Sequence, residues 1–410
     1  MRTTMATENN NKTLNVPNLR FPEFSGEWEH VALSEIAARV TRKNKDNASK
    51  LPLTISAQYG LVDQISFFNK VVASADMSNY YLLRQGEFAY NKSYSSDYPW
   101  GAIKRLDRYP QGALSSLYIC FAVNNKVDSD FAVHYFESSK WHREVSNIAG
   151  EGARNHGLLN IAVGDFFDTK HRLPSSKEEQ KEIAALLNLI TERIATQIKI
   201  IEKLESLIRG IVETHYSQSE CVNQVRISEL GEPFSTMNMS KEDLSEEGNE
   251  CILYGELFTT YGCVIKEVKS RTHISTNKAT VSQSNDLLFP ASTTVDAISL
   301  IAPSAICKEG VILVGDLFGI HVNKNYNNEY LSYLINYIYK SKLARYAQGS
   351  TIIHLHYSDI KKATLLLPTI EEQNYLAHLM RGVEEKINIE KDMLSKLYSQ
   401  KAYLLSNLFI

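Results

Sequence analysis

The residue patterns that support catalysis or metal binding are largely missing from this 410-residue sequence. The glycines of 150–157 (GEGARNHG) lack the G-x-G-x-x-G spacing of a dinucleotide-binding turn, and no phosphate-binding P-loop is present. His354 and His356 fall on one face of a predicted strand, but no third ligand follows at metal spacing. We therefore expect no catalytic residue, bound metal or cofactor, although an active site assembled from distant residues stays an alternative.

Basic and hydrogen-bonding side chains are concentrated in two stretches of the first half, 39–50 and 90–112. Lys and Arg neutralise phosphates, while Ser, Asn and Tyr donate to phosphates or base edges, so the pattern indicates nucleic-acid binding. A tyrosine-rich core with a solvated basic rim is the alternative. The second half is less basic and offers small hydroxyls instead. The candidate DNA-binding residues are Arg42, Lys43, Lys45, Lys92, Ser93, Tyr94, Lys104, Arg105, Arg108, Tyr254, Thr259, Thr260, Lys266, Lys269, Ser292 and Thr293.

The net charge of −3 conceals an uneven distribution of charge along the chain. Between Arg39 and Arg108, 11 Lys and Arg stand against 6 Asp and Glu, which favours a polyanionic partner. No apolar run is long enough to cross a membrane, and 1–17 is polar, so we expect a disordered leader and no membrane partner. The five cysteines show no CxxC spacing, which predicts a reducing, cytoplasmic location.

The order of predicted elements occurs twice along the chain. The motif LPSSKEEQ (173–180) returns as LPTIEEQ (367–373), with the two prolines 194 residues apart. Upstream, 118–136 aligns with 317–335 at an offset of 199, and both segments read as a strand, a polar turn and an amphipathic helix. A repeated order of elements at low identity indicates two similar domains.

Each copy ends in a long predicted helix. The motif proline ends the preceding strand, Ser175 or Ser176 and Thr369 can cap the helices, and the paired glutamates suit the first turn. Apolar residues then alternate at intervals of three and four over about four heptads, as in a coiled coil. An amphipathic helix lying on its own domain is the alternative. The predicted seam comprises Ile183, Leu187, Ile190, Ile194, Ile201, Leu204, Leu376, Leu379, Val383, Ile387, Leu394 and Leu397, with polar interruptions at Gln197, Glu390 and Lys401.

This combination resembles the specificity subunits of type I restriction–modification systems. The resemblance rests on two diverged copies that each end in LP…EEQ and a heptad helix, and on the opening segment LRFPEFSGEWE (19–29). In addition, 88–121 resembles one class of target recognition domain, and 349–373 resembles the end of another. The resemblance covers about residues 18 to 408.

The resemblance implies a mixed α/β (α+β) fold, with two similar target recognition domains related by a pseudo-twofold axis and joined by two long antiparallel coiled-coil helices. Each domain is expected to read one half of a bipartite, asymmetric DNA sequence, and the helix pair to set the spacer. A helix of about 37 residues spans about 55 Å, enough to bridge half-sites about 34–36 Å apart. The expected boundaries are 1–17 for the leader, 18–174 and 214–368 for the domains, and 175–213 and 369–410 for the helices.

The resemblance also implies that catalysis belongs to partner chains. Two modification (methyltransferase) subunits would dock on the helices and carry S-adenosylmethionine, while restriction/translocase subunits would use ATP and Mg²⁺. This chain would bind double-stranded DNA and no cofactor. Two other hypotheses stay open: a coiled-coil scaffolding protein without DNA readout, and an enzyme, such as a nuclease, with a dispersed site.

Overall fold

The computed structural model describes residues 2–3, 15–150, 157–218, 223–236 and 243–410. The chain forms two compact units. Unit 1 contains Met1–Gln197 and Met393–Ile410, and unit 2 contains Ile198–Asp392. Both long helices are therefore divided between the units, whereas the predicted boundaries separate helices from domains. Most of the predicted leader and of the glycine-containing stretch 150–157 lies outside the described residues.

Unit 1 is built on two four-stranded sheets, ordered β6-β5-β10-β7 and β4-β11-β8-β9, with β5 parallel to β10 and the other neighbours antiparallel. The short pairs β1-β2 and β12-β3 complete it. The strands are β1 (Arg2–Thr3), β2 (Leu19–Arg20), β3 (Glu29–Ala32), β4 (Ala37–Arg39), β5 (Pro52–Ser56), β6 (Gly60–Asp63), β7 (Tyr81–Arg84), β8 (Phe88–Asn91), β9 (Ala102–Arg105), β10 (Gln111–Leu114), β11 (Ile119–Val123) and β12 (Lys170–Leu173). The helices are α1 (Leu33–Ile36), α2 (Gln64–Phe68), α3 (Ser129–Glu137), α4 (His142–Ile148), α5 (Val163–Asp168) and the first part of α6 (Lys177–Gln218).

Unit 2 contains a five-stranded sheet ordered β14-β23-β19-β21-β17 and a four-stranded sheet ordered β15-β18-β16-β22, with the pairs β13-β25 and β20-β24. The strands are β13 (Asn223–Arg226), β14 (Gly231–Ser235), β15 (Leu244–Ser245), β16 (Asn249–Leu253), β17 (Val264–Ile265), β18 (Ser270–Thr272), β19 (Asp286–Pro290), β20 (Ser292–Thr293), β21 (Ser304–Ile306), β22 (Ile312–Val314), β23 (Leu317–Val322), β24 (Ile353–His354) and β25 (Thr364–Leu367). The helices are α7 (Glu256–Thr259), α8 (Ala297–Leu300), α9 (Asn328–Leu334), α10 (Lys340–Leu343), α11 (Tyr357–Ile360) and α12 (Ile370–Asn407).

The two units repeat the same strand pairing, residue by residue. In unit 1, Tyr90 of β8 lies opposite Ile119 of β11, and in unit 2, Phe289 of β19 lies opposite Phe318 of β23. Both members of the pair are displaced by the same 199 residues, as the sequence alignment predicts. Because a slip of one residue would turn every side chain to the other face, this shared register is strong evidence for duplication.

The strand that leads into each long helix shows the same correspondence. Leu173 of β12 lies opposite Glu29 of β3, and Leu367 of β25 lies opposite Asn223 of β13. Both members are displaced by 194 residues, the offset of the repeated proline motif. Every residue of β5 and of β19 is buried, as expected for strands covered on both faces.

The first motif glutamine ties the start of α6 to unit 1. Gln180, which is 1% exposed, accepts from the backbone N–H of Asp128 at 2.7 Å and donates to the carbonyl of Pro174 at 2.9 Å. Asp128 is the N-cap of α3, so one side chain joins the beginnings of two helices. Ser176 caps α6 by accepting from the N–H of Glu179 at 3.3 Å.

The second motif glutamine makes the equivalent contacts in unit 2. Gln373 accepts from the N–H of Asn327, the N-cap of α9, at 3.0 Å and donates to the carbonyl of Pro368 at 2.9 Å. Thr369 caps α12 by accepting from the N–H of Glu372 at 3.3 Å. The repeated LP…EEQ motif is thus a device that fixes a long helix to the helix of its own domain.

The opening segment is held by a glutamate of the same motif. Glu179, which is 2% exposed, pairs with Arg20 of β2 at 2.7 Å and accepts from Trp28 Nε1 at 3.2 Å. A buried carboxylate needs such partners, because removing it from water uncompensated is costly. The segment 19–29 therefore covers the first turn of α6.

Most predicted seam residues of the long helices are protected from solvent. Leu379 is an exception, because it is 41% exposed while Met380 is fully buried. The inward step from Leu376 therefore spans four residues instead of three at this turn. Ile183, Leu187, Ile190, Ile194, Ile201, Leu376 and Ile387 are buried, and Leu204, Val383, Leu394 and Leu397 are half-buried.

Segments of both long helices pack within each unit. In unit 1, His134 of α3 contacts Asn188 of α6 at 2.8 Å, and Glu137 of α3 pairs with Lys401 of α12 at 2.9 Å. Burial raises the pKa of Glu137, but the hydrogen bond with His134 and the charges of Lys401 and Lys104 outweigh it and lower the pKa to about 2. Lys401 thus interrupts the apolar seam because it neutralises a buried carboxylate.

In unit 2, the two helices are joined directly, since Lys391 of α12 lies 3.0 Å from Glu205 of α6. The helices also contact the domain: Glu384 of α12 accepts from the Tyr333 hydroxyl of α9 at 2.6 Å. The long helices are therefore not separate segments folded back on their own halves of the chain.

Candidate nucleic-acid interface

Three chain reversals of unit 1 meet at one edge of its two sheets. β5 runs parallel to β10 and extends beyond it, so 57–59 lies beside the β10–β11 turn, 115–118. β8 is antiparallel to β11, so the chain leaves β8 at this edge through 91–94. The hydroxyls of Thr54 and Tyr118, 3.4 Å apart, link the two sheets there. These three segments are called the turn edge of unit 1.

The turn edge of unit 1 includes three predicted DNA-binding residues. Lys92, Ser93 and Tyr94 follow β8 directly, and the backbone of this segment is held by a hydrogen bond from Tyr94 N–H to the carbonyl of Gly157 at 3.0 Å. Ser93 and Tyr94 are exposed, while Lys92 is half-buried. A cation, a hydroxyl and an aromatic ring in sequence can contact both phosphates and bases.

The basic loop after β4 separates into paired and unpaired charges. Arg42 pairs with Glu87 at 2.9 Å, and this hydrogen bond raises the pKa of Arg42. Lys43 is exposed, with Nζ 4.3 Å from the centroid of the Tyr81 ring, and Lys45 is also exposed. Because Tyr81 pairs with the last residue of β10, Lys43 lies near the turn edge.

The other predicted cations of unit 1 lie away from the turn edge. β9 pairs with β8 so that Arg105 lies at the beginning of β8, where it forms an ion pair with Asp130 at 2.7 Å. Burial lowers the pKa of Lys104, and the charge of Glu137 opposes this effect. Arg108 is exposed in the β9–β10 turn. Lys104 and Arg105 are thus engaged within unit 1, and we do not retain them as DNA contacts.

Unit 2 has an equivalent turn edge because its strands repeat the pairing. β16 is parallel to β22, and β19 is antiparallel to β23. The turn edge of unit 2 consists of 254–260, which follows β16, 291–294, which follows β19, and 315–316 between β22 and β23. β24 closes it by pairing with β20, with His354 opposite Ser292.

A cleft of about 1070 Å³ opens along the turn edge of unit 2. Four of the predicted residues, Tyr254, Thr259, Ser292 and Thr293, line it. Thr260 lies beside it, with its hydroxyl 3.3 Å from that of Thr259. The structure thus brings together hydroxyl groups that are up to 39 residues apart in sequence.

The two predicted lysines of unit 2 do not line this cleft. Lys266 pairs with Glu385 of α12 at 2.6 Å, and this contact lowers the pKa of Glu385. Lys269 pairs with Glu267 at 2.9 Å. Both lysines therefore have neighbouring carboxylates, and we do not retain them as leading candidates for phosphate contacts.

Sequence reasoning missed several residues of the cleft. Arg209 of α6, Lys340 of α10 and His354 of β24 line it together with Asp316. Arg209 was hidden because its sequence position belongs to a long helix and not to a domain. His354 stood out only as half of a possible metal pair. No local sequence signal identifies Lys340, because the alignment between the copies ends at Ile335.

Neither a metal cluster nor a membrane span is found in the described part of the chain. Across 15–150, 157–218, 223–236 and 243–410, no three His, Cys, Asp or Glu side chains are grouped to hold a metal ion. The rings of His354 and His356 are 6.2 Å apart. No described helix combines the length and apolar character needed to cross a bilayer.

Comparison with known proteins adds independent evidence. Residues 220–398 match the family model of the type I restriction modification DNA specificity domain. The crystal structure of a type I restriction-modification system S subunit from M. genitalium is similar at a TM-score of 0.57 and 14% identity, covering 96% of this chain and 99% of that one. A chain from a structural study of assembly and conformational transition of the type I R-M system has a TM-score of 0.54 and 14% identity, covering 93% and 97%. At this identity, the structural likeness establishes a shared fold.

Proposed function

We propose that this chain, which belongs through residues 220–398 to the type I restriction modification DNA specificity domain family, is the DNA-reading subunit of a type I restriction–modification complex. The family match applies to the second half. The shared strand register of β8–β11 and β19–β23 supports extending the function to the first half. This register is the observation that carries the proposal.

Each unit would read one half of a bipartite, asymmetric DNA sequence. The two turn edges occupy the same position in a repeated fold but carry different side chains. Unit 1 offers Lys43, Lys92 and Tyr94, whereas unit 2 offers the hydroxyls of Thr259 and Ser292. Different donors and acceptors on one scaffold select different base edges, so two unlike half-sites are expected.

The long helices would set the spacer between the half-sites and dock two modification subunits. Support comes from α6, which is continuous across the division between the units. Further support comes from large apolar side chains that the long helices leave exposed, because such residues favour protein contacts. These residues are Leu189, Leu207, Tyr375, Ile389, Tyr398 and Tyr403.

Methylation, translocation and cleavage would belong to the partner subunits. Those subunits would bring S-adenosylmethionine, Mg²⁺ and ATP, and this chain would be a non-catalytic component. A scaffolding protein without DNA readout remains the competing function, and the experiment below separates the two.

The test is genome-wide mapping of adenine methylation in cells that carry this gene with its modification subunit. We expect one bipartite motif, absent without the gene. A chimaera in which 18–172 comes from another specificity subunit should change one half-site and preserve the other. If the chimaera changes both halves or neither, modular reading is refuted. If the wild-type chain directs no site-specific methylation, the scaffolding function is favoured.

A further inference from the structure

The cleft of unit 2 carries cations that its own residues leave unneutralised. Arg209 reaches the cleft from α6 and is exposed, while Lys340, the first residue of α10, is half-buried. Across the described residues, neither Arg209 nor Lys340 has a side-chain hydrogen bond or an ion pair. Burial lowers the pKa of Lys340, which shows that the protein does not compensate the removal of this ammonium from water.

The carboxylates near the cleft do not close this balance. Asp316 lines the cleft but faces His354 Nδ1 at 3.8 Å. Asp296 is exposed, and hydrogen bonds from Ser299 are the main reason that its pKa is lowered, with Lys340 contributing less. The remaining lining side chains include hydroxyl donors from Thr259, Ser292 and Thr293.

The position of Lys340 depends on an unusual helical turn. Between α9 and α10, the segment Ile335–Tyr339 forms a π-helix, a geometry that is often found at functional sites. A π-turn inserts one residue into the helix, so it changes the direction in which the following side chains project. Tyr337, within this turn, also lines the cleft, and Arg209 is close enough to oppose the burial that raises the pKa of Tyr337.

Unit 1 shows that the fold does not require a cation at this place. At the offset of 199 that aligns α3 with α9, the counterpart of Lys340 is Trp141. Trp141 is 1% exposed and packs against Tyr90 with ring centroids 5.8 Å apart. The second copy thus has an open, cationic cleft where the first copy has packed aromatic rings, a difference that points to a ligand specific to unit 2.

We propose that the cleft binds a backbone phosphate of the DNA half-site read by unit 2, with Lys340 and Arg209 neutralising its charge and the hydroxyls of Thr259 and Ser292 donating to its oxygens. This inference rests on the proposed function and adds a named contact to it. A phosphodiester suits the cleft because it combines one negative charge with several acceptor oxygens. Such a contact positions unit 2 on the duplex and carries no base preference of its own.

The experiment uses the assembled complex with its modification subunits and measures affinity for a cognate and a scrambled duplex over a series of KCl concentrations. Lys340→Met and Arg209→Met remove one charge each, and Lys340→Arg restores it. Lys269→Met, at an exposed position outside the cleft, is the matched control. We expect each cleft variant to weaken both duplexes in parallel and to reduce the slope of log K against log salt by about 0.9. Lys340→Arg and Lys269→Met should keep the wild-type slope.

A second measurement does not depend on the stability of any variant. Replacing single phosphates by neutral methylphosphonates should reveal one position in the unit 2 half-site where the wild-type complex loses affinity and the Lys340→Met complex loses none. If no such position exists, or if both Met variants bind with the wild-type slope, the cleft contact is refuted while the proposed function stands. A wild-type complex that does not prefer the cognate duplex would refute the proposed function itself.

Discussion

Lys92 and Arg105 lie in the same basic stretch of sequence but have different surroundings. Arg105 is held between strand β9 and helix α3 by Asp130 at 2.7 Å. Lys92 follows β8 at the turn edge and has no carboxylate partner among the described residues. A charge that is already neutralised within the protein releases no counterion from DNA, so only the second residue type can contribute to salt-dependent binding.

At the residue scale, we predict that charge removal separates these two roles. Lys43→Met and Lys92→Met should each lower the salt slope of DNA binding by about 0.9, with little effect on stability. Arg105→Met should leave the slope unchanged but cost about 1–3 kcal/mol of folding free energy, because Asp130 loses its partner. Salt-dependent DNA binding and urea unfolding of the same variants provide the measurement. An Arg105→Met complex with a reduced slope would contradict this division.

The first turn of each long helix is the element that the chain repeats most faithfully. Gln180 and Gln373 are each 1% exposed, and each joins a proline carbonyl to the N-cap of a domain helix. The spacing from proline to glutamine differs by one residue between the copies, yet the contacts are the same. The contacts therefore explain the motif better than its spacing does.

At the element scale, Gln180→Ala and Gln373→Ala should each destabilise the protein by about 1–3 kcal/mol, because buried backbone groups lose their partners. Gln400→Ala, at an exposed position of α12, is the matched control and should stay within about 0.5 kcal/mol. Urea unfolding measures the difference. Equal stability of all three variants would show that the glutamine contacts are not structural.

The end of the chain belongs to the same unit as its beginning. Phe409 is 1% exposed, and its ring lies 5.3 Å from that of Phe131 and 5.8 Å from that of Tyr135. Unit 1 thus depends on residues separated by most of the chain, and its core is incomplete without the last segment of α12 and the residues that follow it.

At the scale of the whole molecule, Phe409→Ala should destabilise unit 1 by about 3–5 kcal/mol, because a fully buried aromatic ring is removed. Tyr403→Ala, at a residue that is 56% exposed, should stay within about 0.5 kcal/mol. Amide hydrogen exchange distinguishes the units, and we expect faster exchange in α3 of unit 1 than in α9 of unit 2. Equal changes in both units, or none in α3, would contradict this dependence.

The sequence by itself determined the duplication, the two long helices and the family resemblance. These features follow from periodicity and from turn and capping residues, which act over a few neighbours. Ser176 and Thr369 were among the caps that the sequence predicted, and the 194- and 199-residue offsets reappear as strand registers.

Only the tertiary structure decided which cations stay available and where the cleft of unit 2 lies. Arg105 and Lys266 are neutralised by carboxylates that are 25 and 119 residues away in sequence. Lys340 enters the cleft through a π-turn, and Leu379 gives way to Met380 at the buried face. Ion pairing and helix rotation depend on contacts between distant segments, whereas local spacing records only the propensities of neighbouring residues.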